Sequence, residues 1–283
     1  MSVSRSIRRA TPGRVGSHIV LMLGVLVFAF PFYWLIVMAT TTTADIFTSP
    51  PRLFPGLEFF ANFSKVLTES AFATAFVNSI WLTATITLIQ LFFTALAGFV
   101  FAKKQFPGRN KLFAVLLATL IIPTGVSIVP SYQIYANLGW INTFLPLIIP
   151  GAVTAFGVFW MRQAAEASVS TELVDAARMD GAGFMRTFWS IALPSMRPSL
   201  VAFGIFQVMW AWNDYLWPLL VLGSPNEFTL PVALQQLLSN LSESTDYSAV
   251  MAGTLVATLP LIIVFFILRR TILENVSAGA LKG

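Results

Sequence analysis

The sequence predicts an all-α, polytopic membrane protein with six transmembrane helices. Of the 283 residues, 57% are hydrophobic and only 10% are charged, whereas roughly 25% are charged in an average soluble domain. The apolar residues gather in runs that are long enough to cross a bilayer as helices, and a helix satisfies its own backbone polar groups inside lipid. Lys and Arg are distributed unevenly among the segments that join these runs.

Six apolar runs divide the chain into spans and links. The first run is uncharged from His18 to Ala44. It is longer than the roughly 7 to 15 residues of a signal-peptide core, so we expect an uncleaved span. The predicted spans are 18–39, 75–101, 112–132, 145–161, 199–222 and 248–268. They define an N-terminal segment at 1–17, a transmembrane domain at 18–268 that includes a loop at 162–198, and a C-terminal tail at 269–283.

The positions of Lys and Arg orient the spans. An even number of spans places both termini on one side of the membrane. Of the 17 basic residues, only Arg52 and Lys65 lie in segments on the opposite side, which leaves 15 on the side of the termini. Because cytoplasmic segments carry the excess of Lys and Arg, we expect both termini and the 162–198 loop to be cytoplasmic. The net charge of +5 is explained by these basic residues on the cytoplasmic side of the membrane. No nucleic-acid partner is therefore predicted.

Proline residues and links add detail to this topology. Pro31, Pro123 and Pro130 fall inside predicted spans, where each can kink a helix, either as ordinary irregularity or as part of a gate. The uncharged link 131–145 is short and predicts a tight hairpin between the third and fourth spans. The external links 40–74 and 223–247 are longer and contain Gly and Pro, as suits a surface that meets a soluble partner.

The cytoplasmic loop begins with a predicted helix. Ser170 is a suitable N-cap, and Glu172 would oppose the positive end of the helix dipole. We expect the helix to run through Asp180 and to stop at Gly181. The spacing of Leu173, Ala176, Ala177 and Asp180 predicts one face with little side-chain bulk, which permits close approach by a second protein.

A second short helix follows the Gly181–Gly183 turn. Phe184, Phe188 and Ile191 recur at spacings of four and three, and we expect this amphipathic helix to end at Pro194. Two helices at an angle would form a compact knob. The alternative is an ordinary hairpin at the membrane interface, in which Ala and Gly serve only packing.

The motifs of this loop resemble those of a known family. Asp175-Ala176-Ala177, Asp180-Gly181-Ala182-Gly183 and Ala192-Leu193-Pro194 are similar to the cytoplasmic "EAA" loop of ABC transporter permease subunits, although that family usually has Glu at the position of Asp175. In that family the loop is a coupling helix that docks into the ATPase. The resemblance implies these coupling residues: Glu172, Asp175, Ala176, Ala177, Asp180, Gly181, Leu193 and Pro194.

Further motifs resemble one subgroup of this permease family. Ala211–Leu220, Thr229–Leu234, Ser277–Gly283 and Phe106-Pro107-Gly108 look like the second permease subunit of carbohydrate importers of the maltose and glycerol-phosphate types. The similarity implies an inner- or plasma-membrane subunit of a bacterial or archaeal importer of a sugar or oligosaccharide, with glycerol-phosphate or another polar solute as the alternative. It also implies a homologous second permease, a homodimeric ATPase that binds ATP and Mg²⁺, and an extracytoplasmic solute-binding protein.

Catalysis by this chain itself is not expected. The sequence contains no Gly-x-x-x-x-Gly-Lys-Ser/Thr phosphate loop, no Cys and only one His, so it offers no Walker-type ATP site, no Ser/His/Asp set and no thiolate metal site. We therefore expect no cofactor and no metal in this chain. Other classes remain as alternatives: a membrane sensor or scaffold, although the segment after Arg270 is short for an output domain, and an intramembrane enzyme, for which Asp214 has no catalytic partner.

The fifth span contains the best candidates for the solute pathway. Asp214 is an acidic residue in an apolar run, and a charge at membrane depth costs roughly 2.5 to 3.5 kcal/mol on insertion scales, so it should face protein or water. The alternative is an interfacial position within an aromatic belt anchored by Trp217. The candidate pathway residues are Asn78, Gln207, Trp212, Asn213 and Asp214.

Overall fold

The long apolar runs fold as helices, as their length and composition predict. The computed structural model describes the backbone of residues 12–240 and 246–280, and side chains within 16–239 and 246–269. Predictions about the basic residues Arg5, Arg8, Arg9 and Lys282 lie outside the described residues. Throughout the described ranges the regular structure is helical, without a β-strand, which confirms the all-α prediction.

Fifteen α-helices follow one another in the described residues. They are α1 Pro12–Ala39, α2 Thr43–Ile46, α3 Phe59–Glu69, α4 Phe72–Lys103, α5 Arg109–Thr119, α6 Thr124–Asn137, α7 Leu145–Ile148, α8 Ala155–Ser168, α9 Thr171–Met179, α10 Phe184–Thr187, α11 Leu193–Ser195, α12 Arg197–Asn213, α13 Leu216–Val221, α14 Leu230–Asn240 and α15 Tyr247–Ala280. Single turns of 3-10 helix lie at Pro150–Ala152 and Pro225–Glu227, and a π-helical turn covers Phe188–Ala192.

Within the described residues, four stretches are long and apolar enough to cross a membrane, and the number is six if each of two bent pairs is one span. The four are Gly16–Ala39, Phe72–Lys103, Leu145–Ser168 and Tyr247–Arg269. One bent pair joins α5 to α6 at 98°, and the other joins the segment Phe184–Ser195 to α12 at 78°. Six spans result if each pair is counted as one span, although the second pair begins inside the predicted 162–198 loop rather than at residue 199.

Two predicted spans are broken rather than continuous. The third span, expected at 112–132, breaks after Thr119, and the fifth, expected at 199–222, breaks at Asp214. In each case a proline follows four residues later. Pro123 has no N–H for the carbonyl of Thr119, and Pro218 has none for the carbonyl of Asp214, so each break coincides with a missing helical hydrogen bond. By contrast, α1 continues through Pro31 and α6 through Pro130.

The described residues pack as two units, and those of the first unit lie within the ranges 12–69 and 237–256. Within it, the buried Asn62 amide donates to the carbonyls of Ala39 at 3.0 Å and Thr41 at 2.9 Å, which satisfies the end of α1. Asp246 accepts hydrogen bonds from Thr43 at 2.6 Å and from Ser248 at 2.7 Å, and it also pairs with Lys65. These polar contacts tie the predicted 40–74 link to the start of α15.

The described residues of the second unit lie within the ranges 70–236 and 257–280, and α4 runs through its centre. Helices α4 and α8 approach so closely that a Cβ on Gly98 would lie 2.6 Å from the backbone of Met161 and Arg162. A Cβ on Gly157 would lie 2.6 Å from the Thr94 side chain. Small residues therefore set this helix crossing, as is common between membrane helices.

Candidate functional site

The first helix of the loop, α9, begins and ends where the sequence predicts. The Ser170 hydroxyl accepts from the backbone N–H of Leu173 at 3.2 Å, which is an N-cap. At the other end Gly181 has φ +80°, and Ala182 N–H donates to Ala177 C=O at 2.8 Å while Gly181 N–H donates to Arg178 C=O at 3.0 Å. This bond pair is a Schellman cap, which uses Gly because the position needs a left-handed backbone.

The acidic residues of α9 have local partners. The backbone N–H of Glu172 and the hydroxyl of Ser170 hold the pKa of the exposed Glu172 carboxyl below its usual range. The Asp175 carboxylate pairs with Arg178 of the same helix at 3.0 Å, with both side chains exposed. Asp180 is the exposed C-cap residue.

One expectation about α9 is wrong. Ala176 and Ala177 do not share an open face, because Ala177 is only 8% exposed and lies with Val174 on the side that packs into the protein. Successive residues on a helix are separated by about 100° of rotation, so one of two adjacent residues can be buried while the other remains exposed. The open surface of α9 is formed by Ala176 together with Leu173 and Met179, which are 52% and 88% exposed.

The second half of the loop is one helical segment, Phe184–Ser195, which meets α12 at an angle of 78°. Phe188 is fully buried, and Ile191 and the half-buried Leu193 pack around the same core. Pro194 is exposed, and the segment continues one residue beyond its predicted end. The buried residues of this core come from α4, α8, the loop and α12: Ala95, Phe99, Met161, Ala165, Val169, Val174, Phe188, Ala192, Met196 and Phe203.

A cavity of about 680 Å³ lies elsewhere in the same unit. This volume is within the roughly 300 to 1,000 Å³ of small-molecule sites. Of the predicted pathway residues, Gln207 and Asp214 line it. The other polar side chains in the lining are Ser79, Thr83, Gln90, Thr124, Thr154, Trp210, Trp217 and Thr229.

The remaining predicted pathway residues do not line this cavity, and each donates a hydrogen bond to a backbone carbonyl elsewhere. The Asn78 amide donates to the carbonyls of Asn226 at 2.9 Å and Phe228 at 3.1 Å. The Trp212 indole is 6% exposed and donates to Ala257 C=O at 3.2 Å. Asn213 donates to the Met209 carbonyl of its own helix at 2.8 Å.

Asp214 also has a structural contact. It follows the last residue of α12 in an extended conformation, and its carboxylate accepts a hydrogen bond from the backbone N–H of Trp217 in the first turn of α13. The Trp217 indole in turn donates to Pro146 C=O at 3.0 Å. The acidic group is thus held at the helix break, where it lines the cavity.

The sequence analysis missed the polar stripe of α4. Ser79, Thr83, Thr87, Gln90 and Thr94 are all buried and recur at spacings of three and four within an otherwise apolar helix. That helical period was the signal in the sequence, because polar side chains in a span should face the protein interior. No group of three acidic, His or Cys side chains is placed to hold a metal ion within the described residues.

Comparisons with known proteins place the chain in a family. Residues 94–277 match the model described as "Binding-protein-dependent transport system inner membrane component". The permease protein AraQ of the arabinooligosaccharide transport system of Halalkalibacterium halodurans is 36% identical over 78% of this chain and 79% of its own. The lactose transport system permease protein LacG of Rhizobium radiobacter is 32% identical over 98% and 99%.

Two further similarities agree with this result. The sn-glycerol-3-phosphate transport system permease protein UgpE of Yersinia pestis is 30% identical over 89% of this chain and 92% of its own. The fold matches a chain from the crystal structure of a bacterial ABC transporter involved in alginate import with a TM-score of 0.80, at 22% identity and with 95% and 99% coverage. The chain belongs to the family of inner-membrane components of binding-protein-dependent transport systems.

Proposed function

We propose that this chain is the translocation subunit of an ATP-driven importer of a sugar or oligosaccharide. Two of the similar permeases serve arabinooligosaccharide and lactose transport, and these names support the solute class. The expected partners are a homologous second permease, a homodimeric ATPase that binds ATP and Mg²⁺, and an extracytoplasmic solute-binding protein. We place the chain in the bacterial or archaeal plasma membrane, with both termini in the cytoplasm.

The coupling role rests on one observation: a single helix, α4, contacts the loop and also lines the cavity. Phe99 of α4 stacks on Phe184 of the loop with ring centroids 5.4 Å apart. Thr83 and Gln90 of the same helix line the cavity. A force that moves the loop would therefore displace α4, and with it the cavity wall, because packed helices transmit displacement.

The ATPase would seat on the exposed part of the loop. Leu173 and Met179 are apolar side chains exposed on α9, with Asp180 and Gly181 at its end. Charged groups Glu172 and Asp175 lie at the rim of this surface. Val174 and Ala177 fix the helix to the core behind it, so the surface is held in one orientation.

The function is tested by solute uptake. The expected solute-binding protein would be purified and screened by thermal shift against neutral oligosaccharides and glycerol phosphate. Cells with and without the gene for this chain would then be compared for uptake of the compound that binds. We expect uptake to require the chain. Unchanged uptake in the deletion strain would contradict the proposal.

The proposed orientation has its own test. A cytoplasmic fluorescent reporter fused to the C-terminus should be active, whereas a phosphatase that works only outside the cytoplasm should not. The reverse pattern would contradict an arrangement in which 15 of 17 basic residues face the cytoplasm, all except Arg52 and Lys65.

A further inference from the structure

The charge in the described part of the cavity lining is negative. Among the residues that the structure describes, Asp214 is the one acidic side chain in the lining, and none of those that form the wall is Lys, Arg or His. An anion that entered would meet a carboxylate without a compensating cation. Walls of low dielectric strengthen this effect, since they concentrate the field of a single charge.

The wall also offers unused hydrogen-bonding atoms. Gln90, Thr83 and Thr229 are 1%, 5% and 7% exposed. The Gln90 Oε1, Thr83 Oγ1 and Thr229 Oγ1 atoms have no hydrogen-bond partner in the part of the chain that the structure describes. Buried polar atoms without partners are uncommon and costly, so a cluster of them beside one cavity marks positions where water or a ligand can complete their bonds.

The type of free atom indicates the type of ligand. The Gln90 amide nitrogen is already engaged, because it donates to Thr154 Oγ1 at 2.7 Å, and its free atom is the acceptor Oε1. The Asp214 carboxylate is a second acceptor, and the threonine hydroxyls can donate or accept. Hydroxyl groups of a ligand can donate to these acceptors, whereas an ionised phosphate group cannot. Glycerol phosphate also has hydroxyls that can donate, so its negative charge beside the Asp214 carboxylate is what disfavours it.

We propose that this cavity is a subsite for a neutral, polyhydroxylated solute, and that Asp214 makes it exclude anions. The inference builds on the proposed import function and narrows its solute class: sugars with free hydroxyls are admitted, and glycerol phosphate and uronate-type anions are not. The Trp210 and Trp217 rings in the same wall supply the apolar faces that the C–H surface of a sugar ring can contact.

The absence of Cys from the sequence allows a direct test with one introduced thiol. Thr83→Cys would be made in the full chain, expressed with its partner permease, and labelled in native membranes at mildly alkaline pH. The probes are three methanethiosulfonate reagents of similar reactivity, with a cationic, an anionic and a neutral tail. The control is Leu57→Cys, which is 96% exposed and adjacent to the exposed Glu58, so it reports the effect of a solvated carboxylate.

We expect the ratio of cation to anion labelling rates to be roughly tenfold higher at Thr83→Cys than at Leu57→Cys. Adding Asp214→Asn should bring the two ratios together, and Asp214→Glu, which keeps the charge, should preserve the difference. Equal ratios at the two thiols in the Asp214 protein would overturn the proposal, as would a cavity thiol that none of the three reagents modifies. Labelling requires no ATPase and no transported solute, so such a result would leave the import function itself to the uptake test.

Discussion

The rings of Phe99 and Phe184 stack with their centroids 5.4 Å apart and their planes inclined by 24°. Phe99 also contacts the ring of Phe188 at 5.9 Å, and both Phe99 and Phe188 are almost completely buried. The loop is therefore joined to the last turns of α4 by aromatic packing rather than suspended between two spans. Because α4 also lines the cavity, the rigidity of this joint determines how the proposed coupling can work.

The crossing of α4 and α8 should not tolerate a side chain at Gly98. A Cβ there would lie 2.6 Å from backbone atoms of Met161 and Arg162, which cannot move aside as a flexible side chain can. Gly98→Ala should destabilise the protein by about 1 to 3 kcal/mol, the usual cost of overpacking, and lower its thermal unfolding temperature in detergent. The matched control is Gly125→Ala in α6, where a Cβ meets no atom within 4 Å. Equal unfolding temperatures for the two variants would contradict the close crossing.

Replacement by alanine should affect stability differently at the two glycines of the loop turn. Gly181 has φ +80°, so Gly181→Ala should cost about 1 kcal/mol through backbone strain alone. Gly183 has φ −68° and is the N-cap of α10, so Gly183→Ala should be close to neutral, because the lower entropy of the unfolded chain offsets the loss of a suitable N-cap residue. Neither Cβ would meet a neighbouring atom within 4 Å. Hydrogen exchange at the Ala182 amide should accelerate in the first variant only, and acceleration in both would point to a steric cause instead.

Asp246 should make the stability of the first unit depend on pH in the acidic range. Burial disfavours its charged form, but hydrogen bonds from Lys65, Thr43, Ser248 and the Ala249 N–H outweigh burial and hold the pKa of Asp246 well below its usual range. The same bond with Asp246 raises the pKa of Lys65. A carboxyl with a lowered pKa contributes its full stability above its unfolded value of about 3.9, and the contribution is lost as pH falls below that value.

Asp246→Asn should therefore lower the free energy of unfolding at neutral pH by about 2 kcal/mol, the scale of hydrogen bonds to a charged group. The variant should also lose less stability than the parent as the pH falls. Thermal unfolding of the purified chain across pH measures both effects. Asp45→Asn is the control, because the Asp45–Arg52 pair has side chains 36% and 48% exposed and should be worth less than about 1 kcal/mol. If the two variants gave the same acid profile, the proposed role of Asp246 would be wrong.

The sequence was sufficient for features that depend on local signals. The ends of α9 follow from Ser170 and Gly181 because caps are set by residues within one turn. Periodicity placed Phe188 and Ile191 on the inner side of the second loop segment. Hydropathy, in contrast, predicts one continuous span at 199–222, because it does not take into account the N–H that Pro218 lacks for the Asp214 carbonyl.

Which face of a short helix is buried depended on tertiary contacts. Nothing local distinguishes Ala176 from Ala177, and only packing against the core around Val174 and Phe188 decides that Ala177 is inside. Similarly, Asn78 looked like a pathway residue because it is polar within a span. Its role depends on the Asn226 and Phe228 carbonyls, 148 and 150 residues away in sequence.

The central claim, that the loop docks the ATPase, is tested most directly by copurification of the ATPase with variants of the exposed surface of α9. Leu173→Glu and Met179→Glu add charge to side chains that are 52% and 88% exposed, so the fold of the loop should survive. The control, Leu57→Glu, changes an equally apolar side chain that is 96% exposed in a predicted external link. We expect the double variant to insert and to pair with the second permease but to retain little ATPase and import no solute, while the control behaves as the parent. Full ATPase stoichiometry with normal uptake in the double variant would contradict the account.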